Sequence, residues 1–304
     1  MAVQVEAGTA NQKAAAIFRH YDQAALDKQL NLRDRWPDHP VFFERWARES
    51  AAVRARLTAH LDLSYGTAAL ETLDLFPAEG SSSAPLLAFI HGGYWKALDK
   101  SDYSYLAPTF LDRGTAYASL NYGLAPGTAI GAMIDQIRQA LIWLYRHAAD
   151  YGIDPQRIYV AGHSAGGHLA AMALSTDWPG MEPDLPARLL AGGCSISGVY
   201  DLEAVRLSFH NEILAMSEAE AAGWSPLHRL PPQAPPLILA VGSEETDEFR
   251  CQHAEYAAAW EERGLKLHDI PLPDLHHFSA VDALGDAGHP LCVAMQQMVA
   301  GQLS

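Results

Sequence analysis

Arg157-Ile158-Tyr159-Val160-Ala161-Gly162-His163-Ser164-Ala165-Gly166-Gly167-His168-Leu169-Ala170-Ala171 is the stretch that decides the fold. It opens as a short apolar run, breaks at a glycine-flanked turn and continues as an alanine-rich helix. The turn, Gly162-His163-Ser164-Ala165-Gly166, fits G-x-S-x-G. Between a strand and a helix, that pattern sets a serine on a strained turn with its hydroxyl exposed. A side chain at either glycine would strike the neighbouring strand or helix. The first helical residues aim N–H groups back at the serine, where an anion can develop.

Working outward, the 304-residue chain suits one large α/β domain or two small ones, and 49% hydrophobic residues supply a sizeable core. Asp and Glu number 36 against 21 Lys and Arg, a net charge of −15 that argues against nucleic acid and anionic membrane surfaces as partners. Cys194, Cys251 and Cys292 lack metal-type spacing and read as reduced thiols of a cytoplasmic protein. The start, Met1 to Gly8, has no basic region followed by an apolar run, so no signal peptide is expected. No apolar run approaches the about twenty residues of a membrane span, and there is no internal repeat.

Residues 1–10 read as a loose tail. Helices are expected over 11–30 and 41–59, the second after a loop with Pro and Asp. Residues 1–60 thus form a helical segment that packs on or caps the core. Residues 61–304 are expected to form one α/β domain. Leu70–Phe76 alternates as an outer strand with one apolar face. Leu86–Ile90 and Ala116–Leu120 are continuous apolar runs, read as strands buried on both faces. A helix is expected over 101–113. Ile130, Met133, Ile134, Ile137, Leu141 and Leu144 form a helical stripe, with Gly152 suited to a left-handed cap. Beyond the serine turn, strands are expected at 189–196, 237–241 and 265–270, and helices at 248–263 and 290–302. Residues 201–230, with a helix around 211–222, form the expected cap insertion. Alternating strands and helices imply a mostly parallel sheet with helices on both faces. Ligands in such sheets bind at the carboxyl ends of the strands.

A serine hydroxyl needs a base, an acid to orient the base, and donors for the oxyanion. After a serine turn of this kind, the acid and then the histidine follow in chain order. The loop after 237–241 is Gly242-Ser243-Glu244-Glu245-Thr246-Asp247-Glu248-Phe249. Spacing leaves Glu245 and Asp247 in competition. Glu248 falls in a first helical turn, where a carboxylate favours the helix dipole without catalysis, and Glu244 reads as solvated. After the last strand come His276 and His277. Adjacent loop residues point differently, and His277 is preferred because Phe278 can wall its ring from water. His91-Gly92-Gly93-Tyr94-Trp95 follows an early strand. Its glycines allow N–H groups to turn inward, so the expected oxyanion donors are the amides of Gly93, Tyr94 and Ala165. His91 is expected to brace that loop. Metal is not expected, since His163 and His168 lack H-E-x-x-H or Cys/His spacing. Cys194 reads as core and His147 as a surface histidine at a helix end.

The HGG loop, the GHSAGG turn and the late histidine resemble the α/β-hydrolase fold. Within it they are similar to the group of hormone-sensitive-lipase-like esterases and kynurenine formamidases. The resemblance covers about residues 60–304. Its specific piece is His91-Gly92-Gly93-Tyr94-Trp95, because the esterases carry a third glycine where Tyr94 stands and the formamidases carry HGGYW. Glu248-Phe249 with Gln252 resembles the E-F-x-x-Q that follows the acid in formamidases. That pattern implies Glu245 as the acid, with Asp247 second; the family more often has Asp there. It also supports His277, as a His-Phe pair.

The resemblance implies a cofactor-free serine hydrolase acting on a small-molecule substrate, with homo-oligomerisation possible. A small acyl-aryl amide, best N-formyl-L-kynurenine, is the expected substrate. Tyr94 and Trp95 suit a tight acyl side or pack under the loop, and Trp95 and Tyr122 are expected to stack on an aryl leaving group. A carboxylesterase for small esters uses the same machinery. A non-catalytic binding module would need a lost triad member.

Overall fold

The computed structural model describes residues 15–303. The tail expected over 1–10, and the start of the helix expected over 11–30, lie outside the described residues. Eight strands make one sheet: β1 (His60–Ser64), β2 (Thr72–Phe76), β3 (Ala84–Ile90), β4 (Ala116–Leu120), β5 (Ile153–His163), β6 (Gly192–Ile196), β7 (Leu237–Gly242) and β8 (Leu267–Leu272). Their order is β1-β2-β4-β3-β5-β6-β7-β8. The strands β3 to β8 run parallel, while β2 is antiparallel to both β1 and β4. This is the α/β-hydrolase arrangement. All residues of β3, β4 and β6 are buried, as continuous apolar runs require when helices cover both faces. Pro271 is tolerated in β8 because that strand is an edge, paired only with β7.

The helices before the sheet are α1 (Gln23–Leu30), α2 (Leu32–Arg35) and α3 (His39–Arg56). The first starts later than the sequence suggests. Asp22 caps it, its carboxylate accepting from Ala25 N–H at 2.9 Å, and residues 15–22 run ahead as turns and an isolated bridge. Along the sheet follow α4 (Ala107–Leu111), α5 (Ile130–His147), α6 (Ala165–Leu174) and α7 (Trp178–Met181). The stripe of α5 is buried throughout, and each large apolar side chain so buried contributes about 1.5–3 kcal/mol. The helix expected over 101–113 is instead a 3₁₀ segment, Lys100–Leu106, joined to α4.

The insertion holds α8 (Glu203–Arg206), α9 (Asn211–Leu214) and α10 (Glu218–Trp224). The single helix expected over 211–222 is broken, because Ala215 takes a left-handed φ of 50° and Ser217 with Glu220 forms a capping box that starts α10 afresh. The chain ends with α11 (Asp247–Glu262), α12 (His277–Ala280), α13 (Asp282–Gly285) and α14 (Pro290–Val299).

β2 is not the outer strand that its alternation suggests. β1, which carries little apolar signal, lies outside it, and β2 is buried. The misleading residue is Asp74. It is fully buried because Lys100 and Arg54 converge on its two oxygens, and Lys100 also reaches Asp62 on β1. An apparently solvated face is thus a paired, buried carboxylate.

Candidate active site

The carboxyl ends of β3, β5, β7 and β8 meet at one edge of the sheet, and the loops leaving them carry the chemistry. β5 ends at His163, and Ser164 turns the chain into α6 with φ 58° and ψ −121°. That conformation costs a non-glycine residue about 1–3 kcal/mol, held here by the packing around it. A Cβ at Gly162 would lie 2.1 Å from the Gly166 carbonyl oxygen, and one at Gly166 2.0 Å from that of Ile90. The turn therefore closes only with glycine at both positions.

The loop after β3 winds through three successive positive φ values, 106° at Gly93, 49° at Tyr94 and 54° at Trp95. Runs of this kind turn backbone N–H groups towards one concave side. Among the described residues, the Gly93 and Tyr94 N–H groups donate to no protein acceptor, and the Ala165 N–H, first in α6, has no intrahelical one. His91 braces the loop, its ring held between the Gly92 carbonyl at 2.8 Å and the Asn121 amide oxygen at 2.9 Å.

His277 starts α12. Its Nδ1 lies 3.1 Å from both carboxylate oxygens of Glu245, and both residues are buried. Phe249 and Phe278 meet the ring edge-on at 4.8 and 5.5 Å. The neighbouring His276 is turned elsewhere: its Nδ1 caps α12 by accepting from Phe278 N–H at 3.2 Å, and its ring stacks on Trp36. Asp247 is exposed and bonded to Arg250 at the start of α11. The structure thus separates the two acids that spacing leaves level, bringing only Glu245 to an imidazole. Glu248 is not a surface carboxylate. It is fully buried against Gln252 and Arg19, and burial pushes its carboxyl up to about 7, against the pull of both partners.

Ser164, His163, His277, Gly93 and Tyr94 line one cavity of about 190 Å³, with Leu30, Leu32, Phe43, Trp46, Phe209 and Phe278 as apolar walls. No hydrogen bond joins the Ser164 hydroxyl to the His277 ring among the described residues, a contact that free enzymes often hold long and tighten on substrate binding. His163 supports the same loop from behind: its Nε2–H donates to the His277 carbonyl at 2.9 Å. Burial, reinforced by the nearby His277, holds its pKa well below the ordinary value, so it stays neutral.

Trp95 and Tyr122 do not reach the cavity, so the expected stacking on a leaving group is corrected. Trp95 is fully buried edge-on to His168, and Tyr122 stacks on His91 and donates its hydroxyl to the His91 carbonyl at 3.0 Å. The left-handed turn points Trp95 into the protein and leaves Tyr94 at the cavity. Sequence reading missed the residues that roof the site: Leu30, Arg33, Lys96 and His210. Lys96 directly follows the HGGYW loop, which is the one local signal; the others come from distant segments.

A family model described as BD-FAE matches residues 73–191. Kynurenine formamidase of Danio rerio is 32% identical over 264 residues, spanning 83% of this chain and 87% of that protein. The chain belongs to the kynurenine formamidase family. It is an enzyme of the α/β-hydrolase type. A crystal structure of a putative thioesterase from a Silicibacter species superposes with a TM-score of 0.77 at 32% identity, covering 88% of this chain and 97% of the other. An esterase of Mycobacterium tuberculosis, LipQ, is 28% identical over 71% of this chain and 56% of its own length. Among the described residues no helix is long and apolar enough to cross a membrane, and no group of three or more His, Cys, Asp or Glu side chains could hold a metal ion.

Proposed function

We propose that this hydrolase cleaves N-formyl-L-kynurenine to L-kynurenine and formate through a formyl-enzyme on Ser164. The observation that carries the reading is the buried Glu245–His277 pair in the cavity where Ser164 sits on its strained turn. The choice of this substrate is supported by the kynurenine formamidase relatives.

In the first half-reaction His277 takes the Ser164 proton as Oγ bonds to the formyl carbon. Glu245 holds the imidazole and stabilises its charged form. The carbonyl oxygen becomes an oxyanion that receives N–H groups from Gly93, Tyr94 and Ala165, each worth about 3 kcal/mol of barrier. The intermediate collapses as the C–N bond breaks, and the imidazolium gives its proton to the departing aniline nitrogen. In the second half-reaction His277 deprotonates water, which attacks the formyl ester. Formate leaves and Ser164 regains its proton. The Tyr94 ring narrows the cavity where the esterases of the group have glycine, which suits the smallest acyl group.

The rival reading is a carboxylesterase for small esters, favoured by the esterase relatives and by the same geometry. Comparing kcat/KM for N-formyl-L-kynurenine with that for short-chain p-nitrophenyl esters decides between them. A much larger value for the esters overturns the formamidase reading.

A further inference from the structure

The roof of the cavity carries charge that the hydrolytic mechanism does not use. Lys96 and Arg33 both line the cavity with Ser164 and His277, and among the described residues no carboxylate belongs to its lining. Among the described residues neither cation forms a salt bridge, although eight of the sixteen arginines of this acidic chain do. Lys96 is half-buried, and its Nζ lies 3.0 Å from His210 Nδ1. His210 Nε2 lies 3.2 Å from the Leu30 carbonyl, which can only accept, so Nε2 carries the proton and Nδ1 accepts from the ammonium. Burial, with the Lys96 and Arg33 charges, lowers the His210 pKa to about 4, which keeps that acceptor neutral. The Lys96 head group is thus held in a fixed position by donating one proton to His210, and its remaining donors have no hydrogen-bond acceptor among the described residues.

Burial and the Arg33 guanidinium also lower the Lys96 pKa, while the exposed Glu212 raises it only in part. Lys96 is partly withdrawn from water beside the Arg33 guanidinium, so an anion entering the cavity would offset the cost of its burial. Arg33, lying over the Phe43 ring, is more exposed and sits towards the mouth.

We propose that Lys96 and Arg33 form an anion subsite, so that the preferred substrates carry a carboxylate on the leaving-group side of the scissile bond. This rests on Ser164 being the nucleophile but not on the bond being a formamide. Lys96 reads the carboxylate in the interior and Arg33 closes over it from the mouth. Tyr94 ties the subsite to the oxyanion loop, since its ring stacks on His210 at 3.8 Å and its hydroxyl donates to the same Leu30 carbonyl at 2.9 Å. Binding of the anion and orientation of the acyl group are therefore set by one connected cluster.

The test uses two matched pairs: 2-formamidobenzoate against formanilide, and 4-acetoxybenzoate against phenyl acetate. The ratio of kcat/KM for the anionic to the neutral member is the readout. The wild-type ratio is expected to exceed one in at least one pair. Lys96→Met should lower it about tenfold, mainly through KM, with Lys96→Arg restoring most of it and Arg33→Met giving a smaller fall. Ratios near one throughout, or ratios untouched by Lys96→Met and Arg33→Met, overturn the subsite. Loss of folding in Lys96→Met is met by Lys96→Gln and by inhibition of the wild type with benzoate, which should compete with neutral substrates. Preference for the anionic ester without formamide cleavage keeps the subsite and removes the formamidase reading.

Discussion

The floor and the roof of the cavity are built on opposite principles. The floor consists of strand ends and tight turns: Ser164 on its strained elbow, the loop over Gly93 and Tyr94, and the Glu245–His277 pair buried behind them. Each side chain is placed within a few residues of a sheet strand. The roof is assembled from segments far apart in sequence, with Leu30 accepting hydrogen bonds from Tyr94 and His210, 64 and 180 positions away. Rigid strands can fix reacting atoms closely, and the shape of what enters is left to the long-range packing above them. Substitutions in the floor should therefore change the rate of the chemical step. Those in the roof should change which substrate binds and how firmly the cover is fastened.

The largest effect belongs to the nucleophile. Ser164→Ala should lower kcat by about 10⁴-fold or more in steady-state assays at saturating substrate, while equilibrium binding of substrate persists. Activity near wild type would remove the floor from the mechanism.

The next separates two acids on one loop. Glu245→Gln removes the negative charge behind the His277 ring and offers an amide that can hold the imidazole in the wrong tautomer, so it should lower kcat by about 10²–10⁴-fold with little change in KM. Asp247→Asn, at an exposed position bonded to Arg250, should stay within about twofold of wild type. The reverse pattern in steady-state kinetics would transfer the role to Asp247.

This contrast also marks how much the sequence reveals. The serine turn, the parallel strands and the late histidine leave local signatures, because glycine at close backbone approaches and apolar runs in buried strands are demanded by neighbours on the same motif. Between Glu245 and Asp247 the spacing is silent, since both lie in the same short loop and only its fold decides which faces inward. Trp95 and Tyr122 mislead for the same reason: an aromatic beside a site motif points wherever the backbone turns it, here into the core. Asp74 reads as solvated because its partners, Lys100 and Arg54, come from other elements. The roof is the extreme case. Leu30, Lys96 and His210 meet only through tertiary packing, and nothing local in the insertion announces the encounter.

A third prediction concerns how the N-terminal segment is held down. Arg19 bridges Glu248 on α11 at 3.0 Å, and the Glu248 carboxyl is raised from 4.5 to about 7 because burial outweighs its partners. The folded chain then binds this proton more tightly than the unfolded one. The stabilisation is full below about pH 4.5 and is lost as pH rises through about 7, a change on the order of 3 kcal/mol. Glu248→Gln removes the titration. Its melting temperature should therefore fall less than that of the wild type between pH 5 and 8, and parallel curves would show that Glu248 does not titrate in this range.

The smallest effect tests the seam between the two regions. The Tyr94 hydroxyl donates to the Leu30 carbonyl at 2.9 Å, so one residue of the floor loop is fastened to the roof. Tyr94→Phe keeps the ring, its stacking on His210 and the backbone N–H proposed for the oxyanion, and deletes only that bond. The Leu30 carbonyl retains the His210 contact, so it is not left without a donor. The loss should be about 0.5–1.5 kcal/mol of stability by chemical denaturation. If the floor and roof act separately, kcat should hold while KM rises by no more than about fivefold. A fall in kcat with KM unchanged would instead mean that the roof tensions the loop that receives the oxyanion, and that the two regions work as one.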